Sequence, residues 1–492
     1  MVKVRAAWRK RRGRAVVCAA FLLWAFAPAV GRAETMAGAL ARAYANNPNI
    51  GQQRAALRAL DENSPKARAG WLPTVVATGY AGRSYLYQRD PPSRGALSTS
   101  GVDPADDESL KQPRGQKFKA SPRGYGMSVT QPIFDGFKTL NNVRQAESQI
   151  FGGREILRAV EQDTLLATAT AYMDVLRDMA IVGLRTSNIA VLKVQASHTR
   201  ERISIGQATE ADAAQSEAAL AQARSDYFAA RGLLQASMAT YRQLVGVEAR
   251  SLQPVKSVES ILPKTLDAAV EIALREHPAI VSALYAADAA SFAVKITESA
   301  LYPSAGITGS INRDLDLEGM TGKKSFTAAV VGQINVPIYQ GGSDYASIRQ
   351  AKERAGQARL VVDLERNQAR ANVATSWAQW QAAKAQILST QSAVKAAEIA
   401  LVAMRGEAEA GQRTTFDVLT AQQTLLNARV SHVVAQRTRV VSAYAILAAS
   451  GQLTARSLGI PHRYDPKPNF EQVEKGRLGS VLRDPNKPHR TF

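Results

Sequence analysis

Apolar positions along this chain follow two periods, and each period marks a different kind of element. Period-two alternation occurs in Tyr125-Gly-Met127-Ser-Val129-Thr, in Ala305-Gly-Ile307-Thr-Gly309-Ser-Ile311, and over residues 325–333. This is the spacing of strands with two unlike faces. A further extended segment is expected from Thr74 to about Ser84, after Trp71-Leu72-Pro73. Elsewhere the pattern is helical and rich in alanine. No proline occurs between Pro132 and Pro254 or between Pro337 and Pro461. Residues 138–205 and 343–410 can therefore each form one helix of 68 residues, roughly 100 Å at 1.5 Å per residue. Helices of that length are rare in compact domains and point to coiled coils or tubular assemblies.

Both long segments break at related motifs 205 residues apart, Gly206-Gln207-Ala-Thr209-Glu-Ala-Asp212 and Gly411-Gln412-Arg413-Thr414-Thr-Phe-Asp417. In each, the glycine can end a helix in the left-handed conformation. The threonine can cap the next helix, with the aspartate three positions on completing a Thr-x-x-Asp box. About 36 helical residues follow each turn, up to Gly246 or Gly451. A shorter helix of about 22 residues precedes each strand pair, opened by Asn47-Pro48 or His277-Pro278 and ended by Leu72-Pro73 or Tyr302-Pro303. Stacked end to end, the short and 36-residue helices would cover most of the long one.

The short-helix landmarks repeat at 230 rather than 205, because the first interstrand segment is 25 residues longer (59 residues from Pro73 to Pro132, against 34 from Pro303 to Pro337). Its Asp90–Pro122 part, rich in proline, glycine, serine and charge, reads as a solvent loop. The chain is thus a tandem repeat, 34–253 and 254–460. A polar tail, 461–492, is expected to be disordered or draped over the helices.

Residues 1–33 hold eight Lys or Arg and no acid, with an uncharged apolar run from Ala15 to Ala27 and a small-residue end at Gly31-Arg32-Ala33. This is the layout of a secretory signal peptide cut after Ala33; 13 apolar residues span only about 20 Å, too little for a bilayer. The single cysteine, Cys18, lies inside it without the surroundings of a lipid acceptor, so no disulfide or cysteine-based metal site is expected. Without this segment the net charge of +20 falls to about +12, a sign that suits anionic lipid or lipopolysaccharide. Nucleic acid is not expected, since basic and aromatic residues are not clustered. The five histidines lack metal-ligand spacing, and no phosphate loop or Ser-His-Asp set is apparent. No cofactor, metal or enzymatic activity is expected.

Four motifs in order carry a family resemblance: Gln131-Pro132-Ile-Phe-Asp-Gly136, Ala171-Tyr-Met-Asp-Val-Leu, Val336-Pro337-Ile-Tyr-Gln-Gly341-Gly342, and Gly411-Gln-Arg-Thr-Thr-Phe-Asp-Val-Leu continuing to Thr424-Leu-Leu-Asn-Ala. On these the chain resembles the TolC family of outer-membrane channel-tunnel proteins over nearly its whole mature length. The resemblance implies a mainly α fold with a small β part: long antiparallel helical hairpins forming a periplasmic α-barrel, and four strands per protomer in a 12-stranded transmembrane barrel of a homotrimer. Pro73, Pro132, Gly136, Pro303, Pro337, Gly341 and Gly342 would form the strand-to-helix junctions.

The implied function is a passive outer-membrane exit duct for type I secretion or drug efflux. Its implied partners are a periplasmic adaptor (membrane fusion protein), an inner-membrane transporter of ABC or RND type, and outer-membrane lipid. The absence of a lipid-acceptor cysteine leans towards the unlipidated secretion branch. Gly206, Gln207, Thr209, Gly411, Gln412 and Thr414 would meet the adaptor. Asp212, Arg413 and Asp417 would form the periplasmic gate, with Arg413 linked to Asp212. The sequence departs from the family pattern at Ala408, where a linking tyrosine is expected, and at Thr420, in place of a second ring aspartate. A weaker lock and less steep cation selectivity follow. The residues alone also admit a periplasmic adaptor or a coiled-coil protein without a pore.

Overall fold

The structure, a computed structural model, describes residues 34–89, 115–255, 258–316, 322–461 and 464–475. The expected signal peptide and residues 90–114 of the expected loop lie outside them. Chain order is α1 (Met36–Asn46), α2 (Pro48–Asp61), α3 (Asn63–Arg68), β1 (Thr74–Ala81), β2 (Ser84–Arg89), β3 (Gly115–Ala120), β4 (Arg123–Phe134), α4 (Lys138–Ser204) and α5 (Glu210–Val245). Then come α6 (Leu266–Glu276), α7 (Pro278–Glu298), β5 (Ser304–Leu315), β6 (Lys324–Asn335), α8 (Ser343–Glu409), α9 (Thr415–Ala449) and α10 (Lys467–Lys475). The two long helices are 67 residues each, one residue shorter than the pattern predicts.

Four strands form one antiparallel sheet in the order β1-β4-β5-β6. Directly paired residues share a face, so the register sorts every side chain. One face carries Val75 and Ala77, Tyr125, Met127 and Val129, Ile307 and Ile311, Phe326, Val330 and Ile334. The other carries Thr74 and Thr78, Ser128 and Thr130, Thr308, Ser310 and Asn312, Ser325 and Thr327, interspersed with Val76, Tyr80 and Val331. Every residue of β1 is exposed, and so are Val330 and Ile334 of β6. A soluble hairpin would bury the apolar face against a core, and here that face stays open.

Three expectations need correction. The single strand from Thr74 to Ser84 is two strands, and the expected loop contains β3, which pairs with β2 in a separate sheet. The break falls where Gly82 N–H donates to Pro122 O (2.8 Å); Pro122 has no N–H with which to continue the ladder. The short helix before β1 is broken at Glu62, between α2 and α3, because Pro65 cannot donate to the carbonyl four residues back. Of the two readings of the tail, draping describes residues 465–475: Asp465 caps α10, accepting from Lys467 N–H at 3.0 Å. That helix docks through Glu474 to Arg68 (2.6 Å), through Asn469 to Asp61, and through Phe470 beneath the Arg154 guanidinium.

The chain forms two compact units that cut across the repeats. Among the described residues, one comprises 34–52, Arg158–His277 and Ala369–Tyr464. Its core gathers Leu40, Tyr44, Leu165, Tyr172, Tyr241, Tyr444 and Leu447. The Tyr172 hydroxyl lies 2.8 Å from the carbonyls of both Glu34 and Gln253, donating to one at a time. The other comprises Gln53–Leu157, Pro278–Gln368 and residues 465–475. It packs small residues closely, with Gly153 against Leu57 and Leu60, and Ala283 and Ala287 against Val362.

Candidate functional site: helical turns and strand-to-helix junctions

The turns at Gly206 and Gly411 share one backbone design. Both glycines adopt positive φ (71° and 76°). At the first, Gly206 N–H donates to Ile203 O (2.9 Å) and Gln207 N–H to Arg202 O (2.8 Å). At the second, Gly411 N–H donates to Ala408 O (3.2 Å) and Gln412 N–H to Glu407 O (2.8 Å). This paired closure satisfies two carbonyls that a helix end would otherwise leave open.

Both capping boxes are complete. Thr209 Oγ1 accepts from Asp212 N–H at 3.2 Å while Asp212 Oδ2 accepts from Thr209 N–H at 3.1 Å. Thr414 and Asp417 repeat this at 3.3 and 3.0 Å. Hydrogen bonds from the Thr209 hydroxyl and N–H hold Asp212 below the usual aspartate range, and the Thr414 N–H and hydroxyl do the same for Asp417.

Within one chain Arg413 does not reach Asp212: its Nε donates to Glu407 Oε2 at 2.9 Å, across its own turn. Asp212 instead has Thr209, the Thr415 hydroxyl and Arg202 around it. The first turn has no counterpart of the Arg413–Glu407 pair. There Arg202 donates to the Gln207 carbonyl (3.1 Å). Glu407 was missed because a contact six residues apart across a turn follows no short-range helical rule. The two hairpins are also tied by Gln422 Nε2, which donates to Asn188 Oδ1 at 3.1 Å in a buried position. Ala408 packs against the seam of Ala397, Leu401, Val418 and Leu425. Thr420 lines a cleft between α4, α5 and α9, along with Asn188, Gln222 and Phe416.

The junction residues fall into two sets. Pro73 and Pro303 each immediately precede a strand, β1 and β5. Pro132 sits inside β4 at a register shift against β5, where a missing N–H costs least. Beyond it, Gly136 (φ 65°) and Phe137 (φ 65°) turn the chain into α4, and Asp135 Oδ2 accepts from Thr139 N–H at 2.7 Å. Phe137 is an unusual residue at positive φ; its ring meets Phe134 edge-on at 5.2 Å and Tyr302 at 6.4 Å. At the second junction Pro337 follows β6, and Gly341 (φ 63°) and Gly342 (φ 82°) make the same turn. Ile338 and Tyr339 there are 94% and 79% exposed.

This architecture has known counterparts. The family model described as outer membrane efflux protein matches residues 39–247 and 269–452. The outer membrane efflux protein BepC of Brucella suis is 35% identical over 454 residues, 92% of this chain and 93% of that protein. The outer membrane protein TolC of Escherichia coli is 23% identical over 87% of this chain and 84% of its own. Among solved structures, the Campylobacter jejuni CmeC outer membrane channel superposes with a TM-score of 0.72 at 16% identity, covering 89% of each chain. The chain belongs to the outer membrane efflux protein family, the TolC-type channels that sit in the outer membrane and extend into the periplasm.

Proposed function

We propose that three copies of this chain close into a passive exit duct, a β-barrel in the outer membrane continued by a helical tube, which receives substrate from an inner-membrane transporter through a periplasmic adaptor. One observation carries this reading: the four-stranded sheet is mainly apolar on one face, mainly polar on the other, and open at both edges. Lipid against one face and water against the other satisfies both. The edges at β1 and β6 are satisfied only by further copies. Four strands cannot enclose an open lumen, since about eight already fill their interior with side chains; three copies supply 12. The energy for transport is assigned to the transporter, and the duct serves export by type I secretion or drug efflux.

The turns are assigned to the adaptor, through Gly206, Gln207, Thr209, Gly411, Gln412 and Thr414, and the gate to Asp212, Arg413 and Asp417. The adjacency of Asp212 to Thr415 supports placing both turns in one ring. In the closed ring Arg413 would exchange Glu407 for Asp212 of a neighbouring copy. Outer-membrane fractions should contain a heat-dissociable trimer; a soluble monomer in the periplasm overturns the duct. In planar bilayers Asp212→Asn should raise single-channel conductance with little change in trimer melting. Conductance at the unaltered level in both Asp212→Asn and Arg413→Ala removes these residues from the gate. Replacing Gln207 and Gln412 with glutamate should abolish adaptor cross-linking with the trimer intact, and undiminished cross-linking refutes the docking assignment.

A further inference from the structure

The apolar face of the sheet ends in cations. Arg313 of β5 lies in one rung between Tyr125 of β4 and Phe326 of β6. In the next rung on that face, Arg123 and Lys324 flank Leu315. With strands about 4.8 Å apart and same-face residues about 7 Å apart along a strand, the three charges originate within about 12 Å of one another. All three side chains are exposed. Among the described strand residues, no carboxylate shares their face: Asp314 is on the opposite one, accepting from the Tyr80 hydroxyl at 2.8 Å. Asp316, in the β5–β6 turn, accepts from Gly322 N–H.

A cation beside an acyl-facing surface is tolerated only near the bilayer rim, and aromatic residues mark that rim. The Tyr125–Arg313–Phe326 rung has both features. The opposite ends of β4 and β6 run into α4 and α8, the helices on the periplasmic side, so this rim faces the outer leaflet. Here the apolar face meets three positive charges that share it with no carboxylate among the described strand residues. We infer that Arg123, Arg313 and Lys324 form a binding site for the phosphate groups of a phosphorylated glycolipid of the outer leaflet. Two cations in the outer rung and one beneath, flanked by rings, suit a head group bearing two phosphates above packed acyl chains. Charge-assisted contacts to phosphate are strong, and Arg matches its oxygens in pairs. The site rests on the outer-membrane location and not on the docking or gate readings.

Native mass spectrometry of the full-length protein in detergent tests it, with added lipid A carrying both phosphates, the same lipid dephosphorylated, or phosphatidylglycerol. The bisphosphorylated lipid should be retained at least tenfold better than either control. In the Arg123→Gln, Arg313→Gln, Lys324→Gln triple variant it should fall to the control level, with channel conductance kept. Should the triple variant fail to insert, Arg313→Gln alone should lose several-fold and Arg313→Lys should largely restore retention. Equal retention of the dephosphorylated lipid, equal retention of phosphatidylglycerol, or undiminished retention by the variants overturns the site.

Discussion

The two strand-to-helix junctions share a Pro-Ile-aromatic-x-Gly motif and a positive-φ turn, yet one is packed and the other lies open. At the first, a methyl group on Gly136 would come within 2.8 Å of the Ser299 carbonyl oxygen and 2.9 Å of Tyr302 Cβ. At the second, nothing lies within 4 Å of where a side chain on Gly341 or Gly342 would begin. The cover on the first junction comes from the end of the second repeat's short helix, Ser299–Leu301, and Tyr302. By the repeat, the second junction should be covered by Ala69–Leu72 of another copy. The difference fits the proposed assembly, in which one chain holds one complete inter-repeat contact and half of another. Such a head-to-tail interface generates a ring when the rotation closes.

The largest effect that would break this comparison is at Gly136. Gly136→Ala adds strain at positive φ, ~1–3 kcal/mol, and overpacking against backbone, ~1–3 kcal/mol. Little folded protein should reach the membrane, as read by protease resistance. Gly341→Ala should leave unassembled chain folded and instead lower the yield of heat-resistant trimer. Equal tolerance of the two alanines in assembled protein would mean the second junction is never covered. A smaller effect sharpens the same point: Tyr339→Ser should lower the trimer melting temperature by removing about 1.5–3 kcal/mol of burial per copy. The helicity of the unassembled chain should not change.

Much of this was legible because local rules governed it. Proline-free alanine runs fixed the long helices to within a residue, and the Gly-x-x-Thr-x-x-Asp turns formed as their capping chemistry requires. Alternation foretold strands, and the register sorted them into one mainly apolar and one mainly polar face. What escaped depended on contacts distant in sequence. The asymmetry of the junctions comes from Ser299 and Tyr302 reaching Gly136 and Phe137. Phe137 at positive φ is held by aromatic neighbours and not by any glycine. α10 is fixed by Asp61 and Arg68, some four hundred residues earlier. β2 and β3 escaped because Pro122, read as loop chemistry, is only the hinge between two sheets.

The turns invert the lesson of the junctions: their backbones match and their environments nearly do. Thr209→Ala and Thr414→Ala should therefore cost about the same, roughly 0.5–2 kcal/mol of local helix stability each. Hydrogen exchange of the first helical turns of α5 and α9 measures it. A clear inequality would show that the flanking links, Arg202 to the Gln207 carbonyl and Arg413 to Glu407, contribute more than the boxes do.

The smallest effect separates the two boxes by acid. Both carboxylates sit below the ordinary aspartate value of 3.8 in the folded chain. Their capping contribution is therefore complete above that value and is lost as pH falls below it, through the folded pKa. Asp212 is lowered a little further by the nearby Thr415 hydroxyl, on the neighbouring turn, whereas Asp417 is aided electrostatically by Arg413. Thr415→Val removes the hydroxyl while keeping the side chain's shape. In exchange protection corrected for intrinsic rate, the start of α5 should then loosen at a higher pH than before. The start of α9 should hold its original midpoint, because Thr415 does not cap Asp417. Equal displacement of both midpoints would mean that Thr415 acts on the second helix as a whole and not on Asp212, and an unmoved first midpoint would mean that the two turns titrate independently.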